Sequence, residues 1–166
     1  MRPAVLLICT FASVGCTDTG GPLAGDFERA FTIAGGCRDV EVYLTSANDD
    51  IALRFEEPGL LQDAIDAGGA PVTLRLEPQD LLRLDVRTGT DLSSTLCADG
   101  PEPIVTSRYV AISGTAVVDI RPNVNVDDFA RLDLQLISVA VLDDETGELL
   151  VINDFTVRDV AIGFTP

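Results

Sequence analysis

The sequence predicts an all-β fold: a single antiparallel β-sandwich, Greek-key or jelly-roll-like, of about nine or ten short strands with one short helix. Three observations predict it. Apolar residues alternate with a period of two along most of the chain. Turn-forming clusters interrupt that alternation about every eight to twelve residues, the spacing of short strands in a sandwich or barrel. The apolar residues are mostly Val, Leu, Ile and Ala, with aromatics only 5% of the chain, which suits an aliphatic strand core. A small β-barrel is the competing architecture.

The first sixteen residues stand apart from this pattern. Arg2 precedes an apolar run from Ala4 to Ala12, followed by Ser13-Val14-Gly15-Cys16. That is the layout of an export signal ending in a lipid-acceptor cysteine, so residues 1–15 are expected to be removed. Residues 16–26 are small, polar and Gly-rich, which predicts a lipidated N-terminus and flexible stalk. Residues 27–166 are the expected folded domain, large enough to bury one core.

Within that domain, Phe27, Phe31 and Ile33 share one face around Arg29, and Gly35-Gly36 is expected to end the strand before Cys37. Val40, Val42 and Leu44 alternate with polar residues, Ser46 to Asp49 turns the chain, and Ile51, Leu53 and Phe55 return, predicting a hairpin. Leu60 to Ala67 is the expected helix, with Leu61, Ala64 and Ile65 on its apolar face and Gly68-Gly69 at its end. Barely two turns long, it must be held by tertiary contacts.

Val72, Leu74 and Leu76 form the next strand, then Leu82, Leu84 and Val86 up to Thr88-Gly89-Thr90-Asp91. A loop carries Cys97 and ends at Asp99-Gly100-Pro101. Ile104 to Ile112 and Thr115 to Arg121 predict two strands joined at Ser113-Gly114. Leu132, Leu134 and Leu136 hold one parity, whereas Ile137, Val139 and Val141 hold the other. A slip of one residue would turn the buried face outward, so a β-bulge or sheet change is expected near Leu136-Ile137. After the turn at Asp143 to Gly147, Leu149 to Val157 returns, and Val160, Ile162 and Phe164 follow a second slip at Arg158-Asp159.

Charge and absent residue types exclude several functions. There are 27 acids against 11 bases, all arginine, for a net charge of −16, and losing Arg2 with the leader makes the chain one unit more acidic. Nucleic acid and anionic headgroups would be repelled. With no histidine, neither a Ser-His-Asp triad nor an imidazole metal site can form. With no tryptophan and two tyrosines, few platforms exist for stacking on sugars or bases.

The cysteines are Cys9, Cys16, Cys37 and Cys97. Cys9 leaves with the leader, and an acylated Cys16 leaves Cys37 and Cys97 as the only pair, expected to be a structural disulfide.

Ser13-Val14-Gly15-Cys16 resembles the lipobox of bacterial lipoproteins, departing at Ser13, where leucine is usual. The resemblance covers sixteen residues. It implies that Cys16 carries a thioether-linked diacylglycerol and an amide-linked acyl chain such as palmitate. With Thr17 rather than aspartate following, it implies lipid anchoring in the bacterial cell envelope, at the outer membrane. The body resembles exported bacterial β-domains, a likeness that carries no activity with it.

Three acidic stretches could meet a cation: Asn48-Asp49-Asp50, Asn123 to Asp128, and Asp143-Asp144-Glu145. Calcium needs six to eight oxygens, and Asn123, Asn125, Asp127 and Asp128 offer alternating amide and carboxylate oxygens, a weak candidate calcium site. Asn and Asp also serve turns for their own geometry. A paired-carboxylate hydrolase is the one catalytic chemistry the residues readily support. In a chain with 27 acids, however, some pair always falls at a tempting spacing. The expectation is therefore a non-enzymatic protein without a cofactor: an envelope-structure or protein-interaction module whose partners are a membrane, through its lipid, and an envelope protein. A cation- or small-ligand-binding module using the acidic loops is the alternative. An apolar patch beside a sheet edge would favour the first, and convergent carboxylates the second.

Overall fold

A computed structural model describes residues 30–37, 40–78, 84–97, 100–122 and 130–163. The expectations for residues 1–29, including the leader, Cys16 and the stalk, lie outside the described residues, as do those for Leu82, Asn123, Asn125, Asp127, Asp128 and Phe164.

The elements run β1 (Phe31–Cys37), β2 (Glu41–Ser46), β3 (Ile51–Glu56), α1 (Leu60–Asp66), β4 (Val72–Arg75), β5 (Leu84–Thr90), a 3-10 turn (Leu92–Thr95), β6 (Ile104–Pro122), β7 (Ala130–Asp143), β8 (Leu149–Ile152) and β9 (Phe155–Ile162). The predicted class is present: the described residues form an antiparallel sheet of nine strands, with a short helix after β3. The strands join in one sheet rather than in two hydrogen-bonded layers. The order is β1-β2-β3-β5-β6-β7-β8, with β4 added to β6 and β9 to β7.

The reason lies in β6 and β7, which run through both halves of the molecule. Ser113-Gly114 does not separate two strands, as expected, but lies at a bulge within one 19-residue strand. Ala111 and Ser113 of β6 face Val141 and Ala140 of β7, so β6 carries one extra residue there. Ser113 and Thr115 then face Ala140 and Ile137, so β7 carries the next one. The two bulges offset each other and restore the ladder beyond. In β7, Leu132, Leu134 and Leu136 are buried before the slip, and Val139 and Val141 after it. This is the bulge that the change of parity predicted. Ser138 takes a φ of 50° at that point, and its N–H donates to Asp154 Oδ1 at 2.7 Å.

Both long strands change neighbours across the bulge. The first part of β6 pairs with β5 and the later part with β4. The first part of β7 pairs with β9 and the later part with β8. The expected single return from Leu149 to Val157 is thus two strands, split at Asn153-Asp154 opposite the β7 bulge.

The sheet curls around one core. Leu44 and Leu53, Phe55 and Leu84, Val118 and Leu134, and Leu132 and Val160 are facing pairs on its inner side, all buried. Each such side chain contributes roughly 1.5–3 kcal/mol by leaving water. The curl brings β1 against β9. Gly35-Gly36 does not break β1, which continues to Cys37. A Cβ on Gly36 would stand 2.7 Å from Ala161 O and 2.9 Å from Glu41 O, so only glycine fits where the two strands meet. Toward Phe31 and Phe155 they part.

Helix α1 buries Leu60, Leu61 and Ala64, whereas Ile65, expected on that face, is 46% exposed. The helix starts at Leu60, as expected, but its inward face runs through Leu60, Leu61 and Ala64, which leaves Ile65 turned outward. It ends with Gly69 N–H donating to Ala64 O and Gly68 N–H to Ile65 O, the paired bonds of a Schellman motif. On the outer face of β2 and β3, Leu92 and Leu96 cover Ala52, with Tyr43 alongside. The predicted disulfide, Cys37–Cys97, ties this cover to the end of β1, with a Cα–Cα distance of 5.6 Å.

Candidate functional site

The outer face of the sheet carries a row that no single strand reveals. Tyr43, Arg54, Asp85, Val110, Leu142 and Leu149 are successive facing residues across β2, β3, β5, β6, β7 and β8. The row is ionic on one side and apolar on the other.

On the ionic side, Arg54 Nε donates to Glu41 Oε1 at 2.8 Å and Arg54 Nη2 to Glu56 Oε2 at 2.6 Å. Arg87 reaches Asp85 Oδ2 through Nε at 3.0 Å and Nη2 at 2.8 Å, and Arg108 Nε reaches the same oxygen at 3.1 Å. Burial works against the Arg54 charge, but the hydrogen bond and charge of Glu41, with Glu56 and Asp85 nearby, raise its pKa above the ordinary value. Among the described residues, three carboxylates and three guanidiniums meet here. Asp85 Oδ1 is buried and accepts no hydrogen bond from the described residues, yet Oδ2 is already held by two arginines. Carboxylates so engaged are poor candidates for proton transfer or metal ligation, and the network serves to cover the sheet.

On the apolar side, Val110 and Leu142 lead outward to Leu149, and Ala140 faces Val151 in the adjacent row. Leu149 is 56% exposed and Val151 68%, although both lie in a strand with no charged residue. β8 pairs with β7 alone, so its other edge is open among the described ladders. Asp143 N–H donates to Glu148 O at 2.8 Å. Alternation along an antiparallel ladder then turns the N–H and C=O of Leu150 and Ile152 toward β7 and those of Leu149 and Val151 toward the open edge. The same two residues therefore expose both side chain and backbone.

A second opening lies where β1 and β9 part. It is a groove of about 410 Å³ lined by Phe31, Ile33, Leu44, Phe155 and Val157 among others.

The acidic stretches are employed locally. Asp49 accepts from Ser93 N–H at 2.9 Å and Ser93 Oγ at 2.7 Å, pinning the β2–β3 turn to the 3-10 turn. Asp50 Oδ1 accepts from Ser46 Oγ at 2.5 Å. Asp143 Oδ1 accepts from Thr146 N–H at 2.6 Å and Glu145 N–H at 3.0 Å, bonds that lower its pKa from the ordinary carboxylate value. Among the described residues no group of three or more His, Cys, Asp or Glu could hold a metal ion. The proposed calcium ligands Asn123, Asn125, Asp127 and Asp128, and the lipid-acceptor Cys16, lie outside the described residues.

Sequence reasoning missed β8 as a surface feature. The signal was there: Leu149-Leu150-Val151-Ile152 is apolar at every position, the pattern of a strand buried on both faces. The structure buries only one.

This chain matches no protein-family model, no curated protein and no solved structure.

Proposed function

We propose that this chain is an exported, lipid-anchored protein of the bacterial cell envelope that acts without catalysis, as a protein-interaction module. The observation that carries the reading is the apolar patch at an open sheet edge: Leu149 and Val151 on β8, continued by Leu142 and Ala140 on β7. Exposed apolar surface costs solubility and is retained where a partner covers it. The Cys37–Cys97 disulfide supports an oxidising compartment outside the cytoplasm. The curled sheet suits display from a stalk, working as a Greek-key or jelly-roll-like sandwich would, with one core inside and one face offered outward.

Cys16 is the attachment point in this reading. Envelope fractionation tests it, with expected recovery in the membrane fraction and a shift to the soluble fraction for Cys16→Ser. Crosslinking in intact cells, followed by mass spectrometry, is expected to identify an envelope protein. An unmodified Cys16 in the mature chain would remove the anchor, and crosslinks to no protein would remove the interaction.

A further inference from the structure

We infer that β8 is a docking strand: an extended segment of a partner protein, apolar in the middle and flanked by arginine or lysine, adds to its open edge. This rests on the interaction-module reading above and names the partner's chemistry.

Three features of the edge converge. The backbone of Leu149 and Val151 offers two donors and two acceptors in line, which is the template that strand addition uses. Their side chains supply the apolar contact on the outer face, extended by Leu142 and Ala140. Acids bracket the strand: Asp144, Glu145 and Glu148 are exposed before it, and Asp154 after it. Asp144 and Glu145 enter no ion pair among the described residues. A segment with basic residues at both ends would meet opposite charge at each.

The same charges argue against a second copy of this chain. In an antiparallel pairing of two β8 strands, Asp154 of each copy comes beside the Asp144 to Glu148 turn of the other. The chain's net charge of −16 adds to that repulsion. The groove between β1 and β9 is a poorer template. Its strands converge at Gly36 and Ala161, and residues 31–34 and 155–157 carry no charge to select a partner.

The test uses the purified chain, the synthetic peptide KRVTVTRK and its acidic counterpart EEVTVTEE. KRVTVTRK is expected to bind, to slow amide exchange at Leu149 and Val151, and to bind more weakly as salt is raised. The acidic peptide is expected to bind at least tenfold more weakly. Val151→Pro removes an N–H that points away from β7, so the ladder to β7 is kept while KRVTVTRK binding falls at least tenfold. Val151→Lys, an exposed substitution that leaves every N–H in place, is expected to do the same. Equal binding of the two peptides, protection at residues away from β8, or no binding of KRVTVTRK overturns the proposal. Photocrosslinking in cells from position 151 and from position 33 separates this failure from that of the broader reading. Protein crosslinks from position 33 alone overturn β8 docking and leave an interaction module. Crosslinks to no protein from either position overturn both. Crosslinks between two copies at position 151 overturn the basic partner in favour of self-pairing.

Discussion

Replacing Cys37 and Cys97 together by alanine removes a cross-link between residues 60 positions apart. The lost restriction on the unfolded chain amounts to about 4 kcal/mol at 25 °C from loop-closure entropy. That is a large share of the roughly 5–15 kcal/mol by which a domain is stable. The native state should change less. Leu92 and Leu96 stay packed on Ala52, and Asp49 still holds Ser93. The effect therefore falls on the unfolded ensemble, and urea titration followed by circular dichroism reads it in two ways. With a slope of roughly 2 kcal/mol per molar, the midpoint falls by about 2 M. The slope itself rises, because an unfolded chain without the cross-link exposes more surface. A loss below about 1 kcal/mol with an unchanged slope would refute the reasoning, and would mean that the unfolded chain is already restricted by other contacts.

Three further outcomes follow from the geometry. Gly114→Ala places a Cβ at a φ of 132°, 2.8 Å from Val139 Cα, so the paired bulges must shift, and thermal melts should show a loss of at least about 1–3 kcal/mol. The backbone bonds from Thr146 and Glu145 hold the Asp143 carboxyl below its ordinary value; the stability they contribute is present above about pH 4 and lost as pH falls through the folded-state value. Asp143→Asn should therefore lower the urea midpoint at pH 7 and bring it closer to wild type toward pH 3. Burial, with the Glu148 charge, pushes the Tyr109 hydroxyl up, so its contribution is complete below about pH 10 and lost as pH rises through the folded-state value. Tyr109→Phe should flatten the alkaline decline in stability.

Much of the β structure was legible because strand alternation is local. Val42, Leu44, Leu53 and Phe55 announce the β2–β3 hairpin by parity alone, and the shift from Leu136 to Val139 announces the β7 bulge. The glycines were harder to read. Gly35-Gly36 and Ser113-Gly114 have the composition of breaks, yet both lie within strands. Gly36 is there because β9 passes against it, and Gly114 because a bulge at that point needs its backbone conformation. Neither neighbour is near in sequence. Ile65 was misplaced for a similar reason: the helix begins at Leu60 as expected, but packing against β6, distant in sequence, turns Leu60 rather than Ile65 toward the core.

The sequence by itself determined the strand class, the short helix after β3 and the Cys37–Cys97 pair, because alternation, turn residues and cysteine parity are properties of short segments or simple counts. Only the tertiary structure decided which face of each strand meets water and what stands beside it. Arg54 and Asp85 are ordinary surface charges until the β3–β5 register sets them face to face. Likewise, Leu149 and Val151 read as core residues until β8 is found at an edge, with nothing described beyond it. Register and edge position arise from pairings between segments tens of residues apart, and the alternation within one strand is the same whichever neighbour it meets.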